Sequence, residues 1–408
     1  MNWFGIDSGN WLSAAPVAAL AVLAGAALLY CLLALVSLRR FPPSAVSVKP
    51  WKSPGVTILK PLYGAEEGLY EHLLSFCRQD YAGPVQILFG VHHADDPAAA
   101  AARRVVALAR AGLLRGAAAR LSVELVVDPA NHGSNGKVSN LINLSRRIEH
   151  DLVVLADSDI AVEPDYLDRL AAALQRPGVG LVTCLYRGLP LAGFWSQIGA
   201  MGVDYGFLPN ALTGVTLKMA RPCVGATIAL RRCTLEAIGG FETIKDQLAD
   251  DYMLGEAVRA VGLKVVLADF VVGHAHSERS LSEVWRRDMR WARTIRSLDP
   301  LGYIGSAVTF PVAWALLGLV ASGVSAGFVC LAGAAVLSRM ILQQAIDRRF
   351  PGHDHAFWLG PLRDLFSFVI FVGSFLPGHI HWRGRDYQLG EDGVMAPADV
   401  EGAEAEVA

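Results

Sequence analysis

From Ala14 to Leu38 the chain is apolar almost without interruption, broken only by Pro16 and small polar residues. A run of that length spans a hydrocarbon core of roughly 30 Å with some tilt. Inside lipid only a helix or a closed barrel satisfies its own backbone, so the run leaves little choice of structure. A cleaved signal peptide has a shorter apolar core and carries its charge in front. Here Arg39 and Arg40 follow the run, which marks it as an uncleaved anchor. Cationic flanks favour the cytosolic side. Residues 1–13 are therefore expected outside the cytosol, 14–38 across the membrane, and the chain after Arg40 inside.

One anchor does not account for the whole composition. Hydrophobic residues make up 53% of the 408 and charged residues only 18%, so further segments are expected in lipid. Residues 304–342 are too long for a single span, and Ala321-Ser322-Gly323 suggests a tight hairpin of two helices. Arg348-Arg349 then falls on the cytosolic side. A third stretch, 357–377, is interrupted by Pro361, Arg363 and Asp364, and is expected to be re-entrant or interfacial. A cationic segment follows at 378–390, and the acidic, alanine-rich tail 391–408 is expected to be disordered. The net charge of −2 gives no footing for nucleic-acid binding. Six scattered cysteines without a CxxC pair read as reduced thiols of a cytosol-facing protein.

Between the anchor and the hairpin, residues 39–278 alternate short β-branched runs with longer alanine- and leucine-rich stretches. Val56–Leu59, Val85–Val91, Ser122–Val127 and Asp151–Ala156 read as strands, with helices at Gly68–Cys77, Ala98–Leu114 and Val138–Ile148. Such alternation predicts an α/β domain with a mostly parallel sheet flanked by helices. Ligands of these sheets bind beyond the carboxyl ends of the strands. Asp95-Asp96 and Asp157-Ser158-Asp159 both fall at such ends.

Four motifs occur in order, and together they carry the chemistry of nucleotide-sugar transfer. Asp95-Asp96 offers carboxylates for a nucleoside. Asp157 and Asp159, two residues apart on a turn, can share Mg²⁺ or Mn²⁺ bridging a diphosphate; capping aspartates of a turn are the plainer reading. Asp250-Asp251 opens a helix, where acidic residues are favourable on electrostatic grounds alone, yet Asp251 is also placed to act as a general base. In Arg287-Asp288-Met289-Arg290-Trp291, the segment 279–300 forms a cationic amphipathic helix. It reads either as a membrane-surface anchor or as a clamp in which Arg287 and Arg290 neutralise a departing diphosphate beside Trp291. Lys137, at a helix start, is a candidate phosphate or nucleotide contact. His274 and His276 resemble a metal pair, but two residues apart on a strand only one is expected to point inward, which favours a structural or gating role. No Walker loop, dinucleotide-binding glycine motif or nucleophile elbow is present.

The four motifs, with Leu59-Lys60-Pro61 before them and His381-Trp382-Arg383-Gly384-Arg385-Asp386-Tyr387 after them, resemble the inverting family 2 and 21 glycosyltransferases of GT-A fold, above all the ceramide glucosyltransferases. The resemblance implies a GT-A domain plus transmembrane helices, and a membrane enzyme moving one sugar from a UDP-sugar to a lipid hydroxyl. It implies Asp96 at the uridine, with Asp95, Lys137 and Asp250 nearby. Asp157 and Asp159 would organise a divalent cation and the diphosphate, Asp251 would be the base, and Arg287, Arg290 and Trp291 the clamp. The implied location is the bacterial cytoplasmic membrane, with the catalytic domain in the cytosol. Animal ceramide enzymes carry glycine where this chain has Asp159. Processive synthases carry glutamine where it has Arg287, which argues for single transfer. The same motifs are similar to those of bacterial hopanoid-associated glycosyltransferases, so the acceptor stays open between ceramide and a polyol lipid.

Overall fold

The structure, a computed structural model, describes residues 11–42, 50–114, 120–351, 356–378, 380–382, 385–389 and 394–397. The segment 1–10, the Arg383-Gly384 pair and most of the tail expected to be disordered lie outside the described residues. The chain divides into two compact units. One comprises Met1–Phe41, Ala192–Arg221 and Glu278–His381; the other comprises Pro42–Leu191, Pro222–Ser277 and Trp382–Ala408.

The second unit is built on an eight-stranded sheet. Its strands are β1 (Val56–Pro61), β2 (Val85–Val91), β3 (Leu121–Val127), β4 (Leu152–Ala156), β5 (Ile160–Ala161), β6 (Val179–Pro190), β7 (Thr227–Arg231) and β8 (Lys264–His276). They lie in the order β3-β2-β1-β4-β7-β6-β8-β5. Every residue of β1, β2 and β4 is buried. Burial on both faces is what a strand covered by helices requires, and their near-continuous apolar sequences follow from it. Leu59, Leu88, Leu155 and Leu230 pack with Val138 and Leu141 of the helix Gly136–Ser145, and with Leu254 and Val258 of the helix Asp250–Ala260.

The sheet is mixed but mostly parallel, as the alternation predicts, with only β7 and β5 reversed. Strands β3, β2, β1 and β4 run parallel, as do β6 and β8. Strand β7 is antiparallel to both β4 and β6, and β5 is antiparallel to β8. The alternation fails where β6 gives way to Ala192–Arg221. That excursion belongs to the other unit, so the unit holding the sheet is not the continuous stretch 39–278, and β7 enters the sheet reversed. The parallel block nonetheless fixes what matters for a site. Pairing of Leu59 with Leu155, and of Pro61 with Gly90, brings the carboxyl ends of β1, β2 and β4 to one edge.

The first unit is helical. Ala15–Arg40 and Ala326–Arg349 are each long and apolar enough to cross a membrane, and Pro300–Thr309 with Pro311–Ala321 forms a pair bent by 70°. The turn between Pro311–Ala321 and Ala326–Arg349 falls at Ser322–Ser325, with Gly323 at φ 64° and Val324 at φ 62°. The helix Pro311–Ala321 has only 11 residues, about 16 Å at helical rise, short of a full crossing. Gly318 is required there, since a Cβ on it would lie 1.8 Å from the Phe328 ring.

The helix Gly360–Gly373 forms despite Pro361, Arg363 and Asp364. Pro361 occupies the first turn, where its missing N–H is not needed. The two charges are buried but paired: Arg363 donates to Asp288 Oδ2 at 2.7 Å, and Asp364 lies 3.2 Å from Arg339.

Candidate active site

The turn Asp157-Ser158-Asp159 emerges where β4 ends, as the strand's uninterrupted burial dictates. It is propped from below by Lys60, a fully buried cation near the end of β1. The Lys60 Nζ donates to the Asp157 carbonyl oxygen at 2.7 Å and sits 3.6 Å from the centre of the Phe76 ring. Burial pushes this ammonium down to about 7, against the pull of Asp159, Asp157 and Glu66. Glu66, in the loop after β1, is pushed up to about 7 by burial and then by Asp159.

Asp159 carries a histidine on one side and an open oxygen on the other. Its Oδ2 lies 3.3 Å from His274 Nε2, while its Oδ1 is buried without a hydrogen-bond partner. Desolvation works to raise the carboxyl, but His274, Lys60 and His276 outweigh it and hold the group well below the usual range. Antiparallel pairing of Ile160 with His274 produces the contact. His274 and His276 face one another, Nδ1 to Nε2, at 3.1 Å. The expectation that only one points inward is wrong, because residues two apart on a strand share a face.

Lys137 joins the turn to the helix Asp250–Ala260. Asn135 caps its own helix by accepting from Lys137 N–H at 2.9 Å and Val138 N–H at 3.2 Å. The Lys137 side chain is thereby directed to Asp157 Oδ1 at 2.8 Å and Asp250 Oδ2 at 3.0 Å. Desolvation opposes its charge, but Asp157, Asp250 and Asp251 raise its pKa above the ordinary lysine value. Asp157 is raised by desolvation in spite of Lys137.

Asp251 completes the group. Its Oδ2 accepts from the Gly225 N–H at 2.6 Å and its Oδ1 from the Tyr252 N–H at 2.8 Å. Desolvation, and then Asp250, push its carboxyl up to about 6. A Cβ at Gly225 would lie 3.2 Å from Asp251 Oδ2 and 3.5 Å from Asp157 Oδ2, so both carboxylates border the space that this glycine leaves open. Asp96 is a helix cap, its Oδ1 accepting from Ala98 N–H at 2.8 Å and from Gly64 N–H at 2.9 Å. It thereby ties the loop after β1 to the end of β2. Asp95 is exposed.

For a divalent cation the donors on offer would be the Asp157 and Asp159 carboxylates, including the Asp159 Oδ1 that has no hydrogen-bond partner. Among the described residues no cluster of three His, Cys, Asp or Glu side chains is set to cage an ion. Two carboxylates are the donor set of a hard cation that keeps waters and shares substrate phosphates, so the residues fit such an ion.

Arg287, Arg290 and Trp291 lie in the other unit, on the helix Leu281–Leu298. Ser280 caps this helix by accepting from Glu283 N–H at 3.3 Å, and Glu283 reaches back to the Arg279 N–H at 2.8 Å. Arg287 is ion-paired to Glu278 and, at 2.7 Å, to Asp288, and it lies 5.2 Å from the centre of the Trp291 ring. Its charge is thus balanced locally. Arg290 lines a cavity against the helix Gly360–Gly373.

A sequence profile of glycosyl transferase family 21 matches residues 19–395. The chain belongs to this family. It is 23% identical over 252 residues to ceramide glucosyltransferase 1 of Caenorhabditis elegans, covering 60% of this chain and 51% of the relative. Ceramide glucosyltransferase 3 of the same organism is 24% identical over 243 residues, covering 59% and 50%. The chain spans about half the length of the curated relatives it matches. Its fold resembles that of the mannosyltransferase PcManGT from Pyrobaculum calidifontis, solved with GDP-Man and Mn²⁺, at TM-score 0.51 and 22% identity over 89% of this chain and 99% of that one. The sheet-bearing unit of this family 21 protein is accordingly a GT-A domain.

Glu66 and Gly225 carried no sequence signal. Lys60 did carry one, as a lone charge in a strand otherwise buried and apolar.

The Lys137 bridge makes the pH dependence of a base at Asp251 testable. A base acts when ionised, so kcat/KM, which reports the free enzyme, is expected to rise through about pH 6 and then level. Lys137 lowers the Asp251 pKa, so Lys137→Met is expected to move this acid limb to higher pH. It should also cost about 10–150-fold in kcat/KM, the worth of one charge-assisted hydrogen bond. A pH–rate profile whose limb stays in place would separate Lys137 from Asp251.

Proposed function

We propose that this family 21 protein transfers one sugar from a UDP-sugar to a hydroxyl of a membrane lipid, ceramide first among candidates, with inversion at the anomeric carbon. The observation that carries the proposal is the disposition of Asp251. It is a carboxylate raised to about 6, held by the Gly225 N–H, sharing the open space at Gly225 with Asp157. In the proposed reaction Asp251 takes the proton of the acceptor hydroxyl as the oxygen attacks C1. The C1–O bond to UDP breaks, and UDP leaves with the electron pair. Asp96 and Asp95 are assigned to the nucleoside, and Lys137, steadied by Asp157 and Asp250, to the diphosphate. Preorganised charge of this kind supplies a large part of many enzymatic rate enhancements.

Arg290 and Trp291 are assigned to the leaving group and the acceptor. Arg287, already held by Glu278 and Asp288, is assigned mainly to the posture of that segment. Asp157 and Asp159 would hold Mg²⁺ or Mn²⁺, which when bound supplies positive charge to the diphosphate. Chelation is expected to abolish transfer and either ion to restore it, while Asp159→Ala should raise the metal concentration needed for half-maximal rate. Full activity in chelator, with carry-over excluded, would remove the metal from the proposal.

The proposed setting is the bacterial cytoplasmic membrane, with the site on the cytosolic side. Two helices long and apolar enough to cross a membrane support the placement in a membrane. The experiment is incubation of the purified chain with a panel of UDP-sugars and total membrane lipids, read by mass spectrometry. A ceramide hexoside supports the first reading, and a glycosylated polyol such as a hopanoid replaces the acceptor. UDP release without any glycolipid overturns lipid transfer.

A further inference from the structure

Residues 188–217 contain a single charged side chain, Asp204, and it is buried. No helix in this stretch is long enough to cross a membrane. Phe194–Gly202 and Leu208–Thr216 have nine residues each, with a π-helical turn, Val203–Phe207, between them. All three belong to the helical unit.

Their level is fixed by the two long apolar helices of the same unit. Ala15–Arg40 and Ala326–Arg349 end side by side: the Phe41 and Phe350 rings lie 5.8 Å apart, and Arg349 donates to the Phe41 carbonyl oxygen at 3.1 Å. Tyr30 stands eleven residues before Phe41, and Arg339 eleven before Phe350. At helical rise each is about 16 Å from that end. The apolar stretch touches both. The Tyr30 hydroxyl donates to Asn210 Oδ1, and Arg339 donates to the Tyr205 carbonyl oxygen at 3.0 Å.

A hydrocarbon layer of roughly 30 Å covers most of either helix. Their 26 and 24 residues measure about 39 Å and 36 Å. Even with the whole excess projecting at Arg40 and Arg349, Tyr30 would lie about 6 Å inside the layer and Arg339 about 9 Å. The details of the stretch suit that depth. Backbone in lipid must be satisfied from within the protein, and Arg339 supplies a donor to the π-helical turn. The Tyr205 hydroxyl reaches back toward the surface, to Asp347 at 2.9 Å, as an amphipathic side chain in lipid does. Interface residues flank the stretch, with Phe194 and Trp195 on one side and Lys218 and Arg221 on the other.

We propose that residues 194–216 form a re-entrant element, which enters the bilayer from the side of Arg40 and Arg349, turns at 203–210 and returns without crossing. Its partner is the acyl region of the membrane. The stretch 39–278, expected wholly in the cytosol, then has a membrane-embedded part. The inference rests on the crossing of the membrane by Ala15–Arg40 and not on sugar transfer.

The test uses the full chain in phosphatidylcholine vesicles, with the exposed Cys233 and Cys330 changed by Cys233→Ser and Cys330→Ser. One reporter cysteine then carries an environment-sensitive fluorophore. Ala211→Cys, half-buried beside Asn210, reports the turn. Val22→Cys, 71% exposed on the anchor, reports lipid, and Leu113→Cys, 65% exposed in the sheet-bearing unit, reports water. At 211 the fluorophore is expected to emit to the blue of its maximum at 113. It should be quenched by nitroxides on lipid acyl chains, as at 22, and lose the iodide quenching seen at 113. Val215→Cys lies one turn along the same face and repeats the measurement if a label at 211 disturbs folding, which circular dichroism checks. Lipid quenching at 22 together with iodide quenching at 211 and 215 overturns the re-entrant element. Shielding from both quenchers at 211 and 215 overturns it too, since the segment then meets protein rather than lipid. Iodide quenching at 22 overturns the crossing of the anchor, and the inference with it. No sugar donor enters the assay, so its outcome is independent of the transferase reading.

Discussion

Asp251→Asn is expected to lower turnover by about 10²–10⁴-fold, the usual contribution of a general base. An amide cannot take the acceptor's proton. The variant should still fold, because an amide oxygen can continue to accept from the Gly225 N–H as the carboxylate does at 2.6 Å. One of the two backbone contacts is lost, since the amide nitrogen cannot accept from the Tyr252 N–H. Affinity for UDP, measured by calorimetry, should stay within a few-fold, because Asp96, Lys137 and Asp157 are untouched. Retention of more than about a third of the wild-type rate would exclude Asp251 as the base.

The second large effect lies in the helical unit and concerns stability. Arg363 and Asp288 are a buried pair, with side chains 7% and 9% exposed. Removing Arg363 leaves Arg287 to face both Asp288 and Glu278, one buried carboxylate in excess, and breaking a buried pair costs about 3–5 kcal/mol. Arg363→Leu is therefore expected to lower the thermal midpoint sharply. Asp288 also holds Arg287 at 2.7 Å, so the same change should disturb the arginine–tryptophan segment and reduce sugar transfer. Replacing both partners, Arg363→Leu with Asp288→Leu, should recover part of the midpoint because no lone charge remains. If the single variant unfolds at the wild-type temperature, the pair is not what holds that helix.

The parallel half of the sheet was legible because β1, β2 and β4 are buried on both faces and their sequences say so. A strand of Leu152-Val153-Val154-Leu155-Ala156 has nowhere to go but the interior, so the next residues must surface at its end. That reasoning located Asp157 and Asp159. The reversed strand β7 was not legible, because its neighbours in space are distant in sequence and nothing in its five residues marks its direction. The excursion Ala192–Arg221 was hidden for a similar reason, since amphipathic helices of either unit carry the same pattern.

Within the site, local chemistry could be read and pairings could not. A lysine at a helix start was visible at 137, but not that its amine bridges Asp157 and Asp250. Asp96 was read as a ligand, and the structure adds that one of its oxygens is committed to backbone N–H groups. The imidazole of His274 lies beside Asp159, a contact across β5 and β8 that the spacing of His274 and His276 does not reveal. Arg287 looked like a clamp, and only the fold shows its two carboxylate partners. The Lys137 bridge and the Asp159–His274 contact join residues far apart in sequence, which no spacing within a motif encodes.

The proposed reaction is a single displacement at the anomeric carbon, with Asp251 as base and a lipid hydroxyl as acceptor. Proton NMR of the glycolipid made by the purified chain from an α-linked UDP-sugar tests it most directly. A product carrying one sugar per lipid, joined through a β linkage, is the predicted result. An α-linked product would contradict the account, and so would a chain of sugars on one lipid.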